Sequence, residues 1–495
     1  MDFQNYYRRL GLQNYPFTTF TTEHETTHAE ELFVPMTEYG PIQEAFRSGQ
    51  NMIILGERGV GKTAVLEEFH RRVPARQVLC TINAFSEIPV ESKRHDFHRL
   101  ILKHLLLAFV KHLRAHPFVS PRLRKADRVL LSYLIYFYSD QLTLESMKEA
   151  ISKMQIPWWK RLLAGVFNQA RLPLNYAGTV LENALKRYIA QTLGAVPLVE
   201  ETQIREYFPE IKIAPQTEFT RDVDSFYLVR SLSETIQRAT GSRPVAVFDK
   251  LDEDPRLEND AEIVSGFLLP LLSDNNLLSC STLQTVLFVW KTPYRYIESK
   301  VRSQKFFCPT IRWDRDTLKQ VLNRRVAVFS GGKLTDYRKM FSDPDGHAVD
   351  ELFSLANGVP RDLWHLINKV FEEQYRSNPR SRTLTDKAID TAKTRFVTEF
   401  NYYEYYPRKA NARRDSMDIY SYYAHLRKVG SEDFSKSRFN DLAGTGSSTT
   451  NYLVGMERIG LIEKIRQERG DLIFRIRDSK IVYAINRGID LRAEV

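Results

Sequence analysis

The sequence predicts an α/β protein: a parallel β-sheet that carries a phosphate-binding loop, extended by a helical insertion, a helical lid and a small C-terminal domain. Three observations predict it. "NMIILGERGVGKTAVLEEF" reads as a buried strand, a glycine-rich turn and an amphipathic helix, and "RPVAVFDKLDED" reads as a second buried strand ending in carboxylates. The chain has 495 residues, too many for one compact core, and long stretches outside these segments repeat apolar residues at helical spacing.

Residues 1–31 form a polar lead, and 32–89 form the first part of the core. Within it, "GERGVGKT" fits the phosphate-loop pattern G-x-x-x-x-G-K-[ST] through Gly56, Glu57, Arg58, Gly59, Val60, Gly61, Lys62 and Thr63, with Ala64 opening the helix. Such a loop aims successive backbone N–H groups and a helix N-terminus at a phosphate chain. Glycines let the phosphates approach the backbone. With ATP or ADP as the nucleotide, Lys62 would then neutralise the β- and γ-phosphates, and the Thr63 hydroxyl would ligate Mg2+.

A helical insertion spans 90–214, where "FHRLILKHLLLAFVKHL" and the segments 142–154 and 183–193 all show helix periodicity. The core resumes over 215–313. In "VAVFDKLDED" Asp249 follows a fully apolar run, at the strand's C-terminal edge where α/β sheets gather their ligands. Asp249 is therefore assigned to the Mg2+ shell. Glu253, with Asp252 as its competitor, is assigned to orienting the hydrolytic water.

These segments, together with "LFVPMTEYGPIQEAFRSGQ" ahead of the loop and "NGVPRDLWHLI" far after it, resemble the ATPase core shared by AAA+ proteins of the origin-recognition initiator type and by the STAND class, including NACHT ATPases. The resemblance covers about 32–400. It implies that Val34 of "FVP" lies near the adenine and that a helical lid over 314–400 presents Arg361 to the γ-phosphate. It also implies a sensing residue after the strand "TVLFVW". Here the family's usual Asn, Ser or Thr is replaced by Lys291, followed by Thr292. An arginine finger supplied in trans by another subunit would be Arg295, Arg302, Arg312 or Arg315. The family's behaviour further implies a homo-oligomer or a partner protein.

After a linker at 401–414, residues 415–495 resemble a winged helix: three helices, the third with a Ser/Thr cap cluster at 447–450, and a hairpin around 468–471. If this module reads duplex DNA, the start of its third helix enters the major groove and Arg466, Arg469, Arg475 and Arg477 contact phosphates. In the STAND class the same module packs against protein instead. The net charge is +10, and residues 71–130 alone carry 13 Lys and Arg against 4 Asp and Glu, a density that draws in nucleic acid or an acidic partner.

Several classes are excluded by pattern. The most apolar stretch is broken by Lys103, His104, Lys111 and His112, so no membrane span is expected. The opening residues are unlike a secretory signal, so a cytoplasmic protein is expected. Three cysteines without CxxC spacing give neither a disulfide framework nor a zinc site, and no nuclease, protease or deaminase signature is present. Two functions fit: an ATP-driven switch coupled to DNA or to assembly, and a STAND-like signalling or anti-phage defence ATPase that engages proteins.

Overall fold

The computed structural model describes residues 2–20, 25, 28–124, 127, 130–131, 134, 222–408, 417–468 and 470–491. The expected helices at 142–154 and 183–193, the end of the linker and Arg469 lie outside the described residues.

Four parallel strands, β1 (Met52–Gly56), β2 (Leu79–Ile82), β3 (Val245–Phe248) and β4 (Gln284–Trp290), form one sheet in the order β1-β4-β3-β2. β1, β3 and β4 are buried along their whole length, as the unbroken apolar runs require. On its free side β1 is joined by the 307–311 segment: Leu55 N–H donates to the Pro309 carbonyl (2.8 Å) and Ile311 N–H to the Leu55 carbonyl (2.8 Å). Because β4 is inserted between β1 and β3, its C-terminal end falls between the phosphate loop and the acidic turn after β3.

Alternating residues divide the sheet into two faces. Met52 and Ile54 pack with Phe46, Phe69, Val247 and Phe288 beneath the Tyr39–Arg47 and Lys62–Arg72 helices. Ile53 and Leu55 look the other way, toward the Arg94–Ala115, Asp222–Thr240 and Ala261–Leu272 helices. The basic helix assigned to the insertion is thus a core element here. His98 on it is buried, with Nε2 2.6 Å from Asp274 and Nδ1 2.8 Å from Ser225, and Lys103 pairs with Glu87. The correction has a physical reason: the apolar stripe of this helix is wide enough to cover a sheet face.

The lid comprises Arg315–Phe329, His347–Leu355, Pro360–Ser377 and Asp386–Thr398. Its core is continuous with that of the N-terminal residues and of the C-terminal domain. The lead is therefore not a polar tail. Its Phe3–Arg9 helix buries Tyr6 and Tyr7 against the lid, and Phe17 meets Phe371 and Trp364. The buried Arg325 guanidinium holds the segment by donating to the carbonyls of Pro16 (2.7 Å) and Thr19 (3.0 Å).

The C-terminal domain contains the helices Ile419–Val429, Lys436–Ala443, Thr449–Arg458 and Ser479–Asn486 and an antiparallel sheet of β5 (Asp433–Ser435), β7 (Asp471–Ile476) and β6 (Ile462–Glu468), in that order. Ser448 of the expected Ser/Thr cluster stands at the N-cap of the third helix without a side-chain cap hydrogen bond: the chain enters through a 3-10 turn, and Thr449 is buried with its hydroxyl on Asn440 and the Gly446 carbonyl. The third helix docks on the α/β core by its far end, where Arg458 lies over the Tyr296 ring and 3.8 Å from Glu262. Among the described residues no helix is long and apolar enough to cross a membrane. Cys80 and Cys280 are buried and Cys308 is half-buried, all as free thiols.

Candidate nucleotide site

The loop between β1 and the Lys62–Arg72 helix turns on Gly59 and Gly61, both at positive φ (77° and 92°), the second serving as the helix N-cap. Lys62 Nζ donates to the carbonyls of Gly56 (3.1 Å) and Glu57 (3.0 Å), curling over the loop. Burial pushes its ammonium below the ordinary lysine range, against the pull of Asp252, Asp249 and Glu57. An incoming phosphate would restore the missing counter-charge.

β3 places its carboxylates opposite. Thr63 Oγ1 donates to Asp249 Oδ2 at 2.9 Å, so the hydroxyl and the carboxylate expected at the metal already touch. Burial raises the Asp249 carboxyl, with the Thr63 hydrogen bond and Lys62 opposing. One hydroxyl, one carboxylate and an open cavity for phosphate oxygens and water fit Mg2+, which favours few protein ligands. Among the described residues no set of three or more His, Cys, Asp or Glu could hold a metal by itself. A bound phosphate chain and water would have to complete the shell.

The two competing acids part company here. Asp252 is buried and held by the loop: Arg58 Nε donates to its carboxylate (2.8 Å) and Arg58 Nη2 to its carbonyl (3.2 Å), while the guanidinium stacks 4.0 Å from the centre of the Trp290 ring. Glu253 is exposed into a cavity of about 600 Å3 that it shares with Lys62, Thr63, Asp249 and Arg361. Partial burial, then the adjacent Asp252, raises its carboxyl.

Arg361 reaches this cavity from the start of the Pro360–Ser377 helix. Its Nη2 donates to Tyr405 Oη (3.3 Å) and to Glu404 (3.4 Å). Residues 402–408 are not the free linker expected from sequence. Tyr402 and Tyr406 are buried, the Glu404 carbonyl accepts from Arg58 Nη1 (3.2 Å), and Arg408 N–H donates to the Asn259 carbonyl (3.2 Å), so this strap ties the lid to the acidic turn.

Sequence reading missed other neighbours of the site. Phe20 borders the cavity and stacks on the lid residue His365 (ring centres 3.7 Å apart), whereas Val34 borders neither this cavity nor the one across the loop, and Ala64 stays within the helix. Glu57 turns away from the Lys62 cavity: its carboxylate accepts from Trp290 Nε1 (3.0 Å) and Thr292 Oγ1 (3.1 Å). Thr292 is thereby occupied as a tie to the loop, and Lys291 lies with Arg295 and Arg312 on a different cavity. Arg315 pairs with Asp350 (3.5 Å), and Arg302 is exposed. Val60 is buried, its carbonyl accepting from Trp313 Nε1 (2.8 Å).

Gly59 is the tightest point. A Cβ there would lie 2.9 Å from Arg361 Nε and from Val359 Cγ1 and 3.0 Å from Tyr405 Oη, at a φ that non-glycine residues adopt only with strain. Gly59→Ala is expected to force the lid off the loop and to weaken ATP binding at least tenfold, measured by equilibrium titration with a fluorescent ATP analogue.

No family model and no curated protein matches the chain. Similar solved structures include Cdc6p from Pyrobaculum aerophilum, at 10% identity over 97% of this chain and 98% of that one with a TM-score of 0.29. Another is the ADP form of the ORC2 protein from Aeropyrum pernix, at 12% identity over 97% of each chain with a TM-score of 0.36. With those identities and scores, it is the chain's own atoms that say what the site can do.

Proposed function

We propose that this chain is a cytoplasmic, Mg2+-dependent ATPase switch of the AAA+ or STAND type. One observation carries the reading: Lys62, the Thr63–Asp249 pair, Glu253 and the lid arginine Arg361 converge on a single cavity from three separate segments. ATP would lay its phosphates along the N–H groups of the loop, with Lys62 leaving its carbonyls for the β- and γ-phosphates. Thr63 and Asp249 would hold Mg2+, whose contribution is to neutralise charge developing on the phosphates. Glu253 would accept a proton from the attacking water. Arg361 would contact the γ-phosphate, which is how the lid senses whether the nucleotide is ATP or ADP. The Phe20 ring offers the base a stacking surface.

Two outputs fit the C-terminal domain. Duplex DNA is favoured by the exposed Thr450, Asn451 and Val454 on the third helix. A protein partner or a second copy of the chain is favoured by the hairpin arginines, which already hold carboxylates: Arg475 on Asp433 (2.7 Å), Arg466 on Glu468 (2.6 Å) and Arg477 near Glu463 (3.5 Å). Such surface pairs are worth at most about 1 kcal/mol and exchange readily for phosphates, so the DNA-coupled switch is the first reading and the protein-partnered STAND-like switch the second.

Phosphate release with and without random duplex DNA, at low and moderate salt, tests both. Turnover in the wild type that is absent from Lys62→Ala supports the ATPase, and normal turnover in that variant refutes it. Stimulation by DNA that falls steeply with salt supports the first output; indifference to DNA at low salt supports the second.

A further inference from the structure

On the far side of the phosphate loop, the seam between the ATPase core and the C-terminal domain encloses a second cavity of about 290 Å3, near the lower end of small-molecule sites. It opens toward a shallower cleft of about 740 Å3 that shares part of its wall. Four cations from three segments line both: Lys291 and Arg295 just after β4, Arg312 beyond the 307–311 segment, and Arg477 at the end of β7. Two of them are held in long ion pairs, Arg295 with Glu57 at 3.7 Å and Arg477 with Glu463 at 3.5 Å. Lys291 and Arg312 hold no ion pair among the described residues. The opposite wall is apolar, built from Val60, Ile311, Trp313, Val359 and Ile459.

We propose that this seam binds a small organic phosphate of nucleoside-monophosphate size, with its phosphate among Lys291, Arg295, Arg312 and Arg477 and its ring against the Trp313 wall. The carboxylates on the cavity wall are already engaged, Glu57 with Trp290 and Thr292 and Asp478 with Lys480 and Tyr406, so a doubly charged phosphate would bring the four cations a counter-charge that neither carboxylate supplies in full. The ammonium of Lys291 bears the strain, pushed below its ordinary range by burial and then by Arg312 and Arg295. The loop turn from Glu57 to Val60 separates this cavity from the one at Lys62, so both could be filled together. Since Arg477 belongs to the C-terminal domain and the other cations to the core, occupation would also clamp the two.

The test is isothermal titration of AMP into full-length Lys62→Ala protein, a background in which the outcome does not depend on whether the chain hydrolyses ATP. One AMP per chain is expected, with at least tenfold weaker binding when Lys291→Ala and Arg312→Ala are added. Arg477→Gln, on the other domain, weakens AMP in the same direction and serves if the double variant fails to fold. No AMP binding to Lys62→Ala protein, or undiminished binding in the charge variants, overturns the site.

Discussion

Glu253→Gln is expected to lower multiple-turnover ATP hydrolysis by about 10²–10⁴-fold, the usual worth of a positioned general base, while leaving ATP bound. The amide keeps the shape and the exposure of Glu253 at the cavity and removes only the ability to accept a proton. Asp252→Asn separates the two acids. Asp252 is spent on Arg58, so its amide should weaken the Arg58 contact and loosen the loop while chemistry survives. A larger loss in Asp252→Asn than in Glu253→Gln would reverse the assignment. The pH profile adds a second readout. Partial burial and Asp252 raise the folded-state Glu253 carboxyl, and the base works only when ionised. Turnover should therefore fall as pH drops through that raised value, placing the acid limb above the ~4.3 of an ordinary glutamate.

The parts of the site that were legible in sequence are those whose chemistry is written in consecutive residues. The eight-residue loop declares its glycines, lysine and threonine together, and β3 and β4 declare themselves because a strand buried on both faces must be apolar throughout. Arg361 was legible only through the resemblance. What stayed hidden depends on partners tens to hundreds of positions away. Tyr405 and Tyr406 looked like a linker because nothing nearby says that their hydroxyls end on Asp362 and Asp478. Phe20 looked like part of a polar tail because its stacking partner is His365. The same ambiguity hid the choice between Asp252 and Glu253: adjacent acids differ only in which one a folded-back Arg58 reaches. His98 belongs to a segment whose sequence shows only an apolar helical repeat among basic residues, yet it is buried beside Asp274.

Asp362→Ala is expected to destabilise the lid and the C-terminal domain by about 3–5 kcal/mol, the cost of leaving a buried charge without its partner. Asp362 is buried beside Arg361 and accepts from Lys480 Nζ (3.1 Å) and Tyr405 Oη (2.6 Å). Burial alone would depress the Lys480 ammonium, but Asp478 (3.5 Å) and Asp362 hold it above its ordinary value. A lysine raised on folding contributes its stability in full below the unfolded value of ~10.4 and loses it only as pH rises through the folded value, so the loss in Asp362→Ala should be present throughout the neutral range. Replacing both partners by apolar residues, Asp362→Leu with Lys480→Met, should recover much of it, because the pair must also overcome its own desolvation. Thermal unfolding of the two variants checks this, and equal destabilisation in both would show that packing, not the charge, is at stake. The position of the pair gives the experiment its second use. Tyr405 touches both Asp362 and the approach to Gly59, and Lys480 begins the last helix of the C-terminal domain. A nucleotide that shifts the helix start at Arg361 would carry Asp362 with it, since the two are adjacent on one helical turn. If nucleotide state is transmitted along this route, the double apolar variant will fold and bind ATP but lose any ATP-dependent change in the C-terminal domain, which limited proteolysis with and without ATP would read directly.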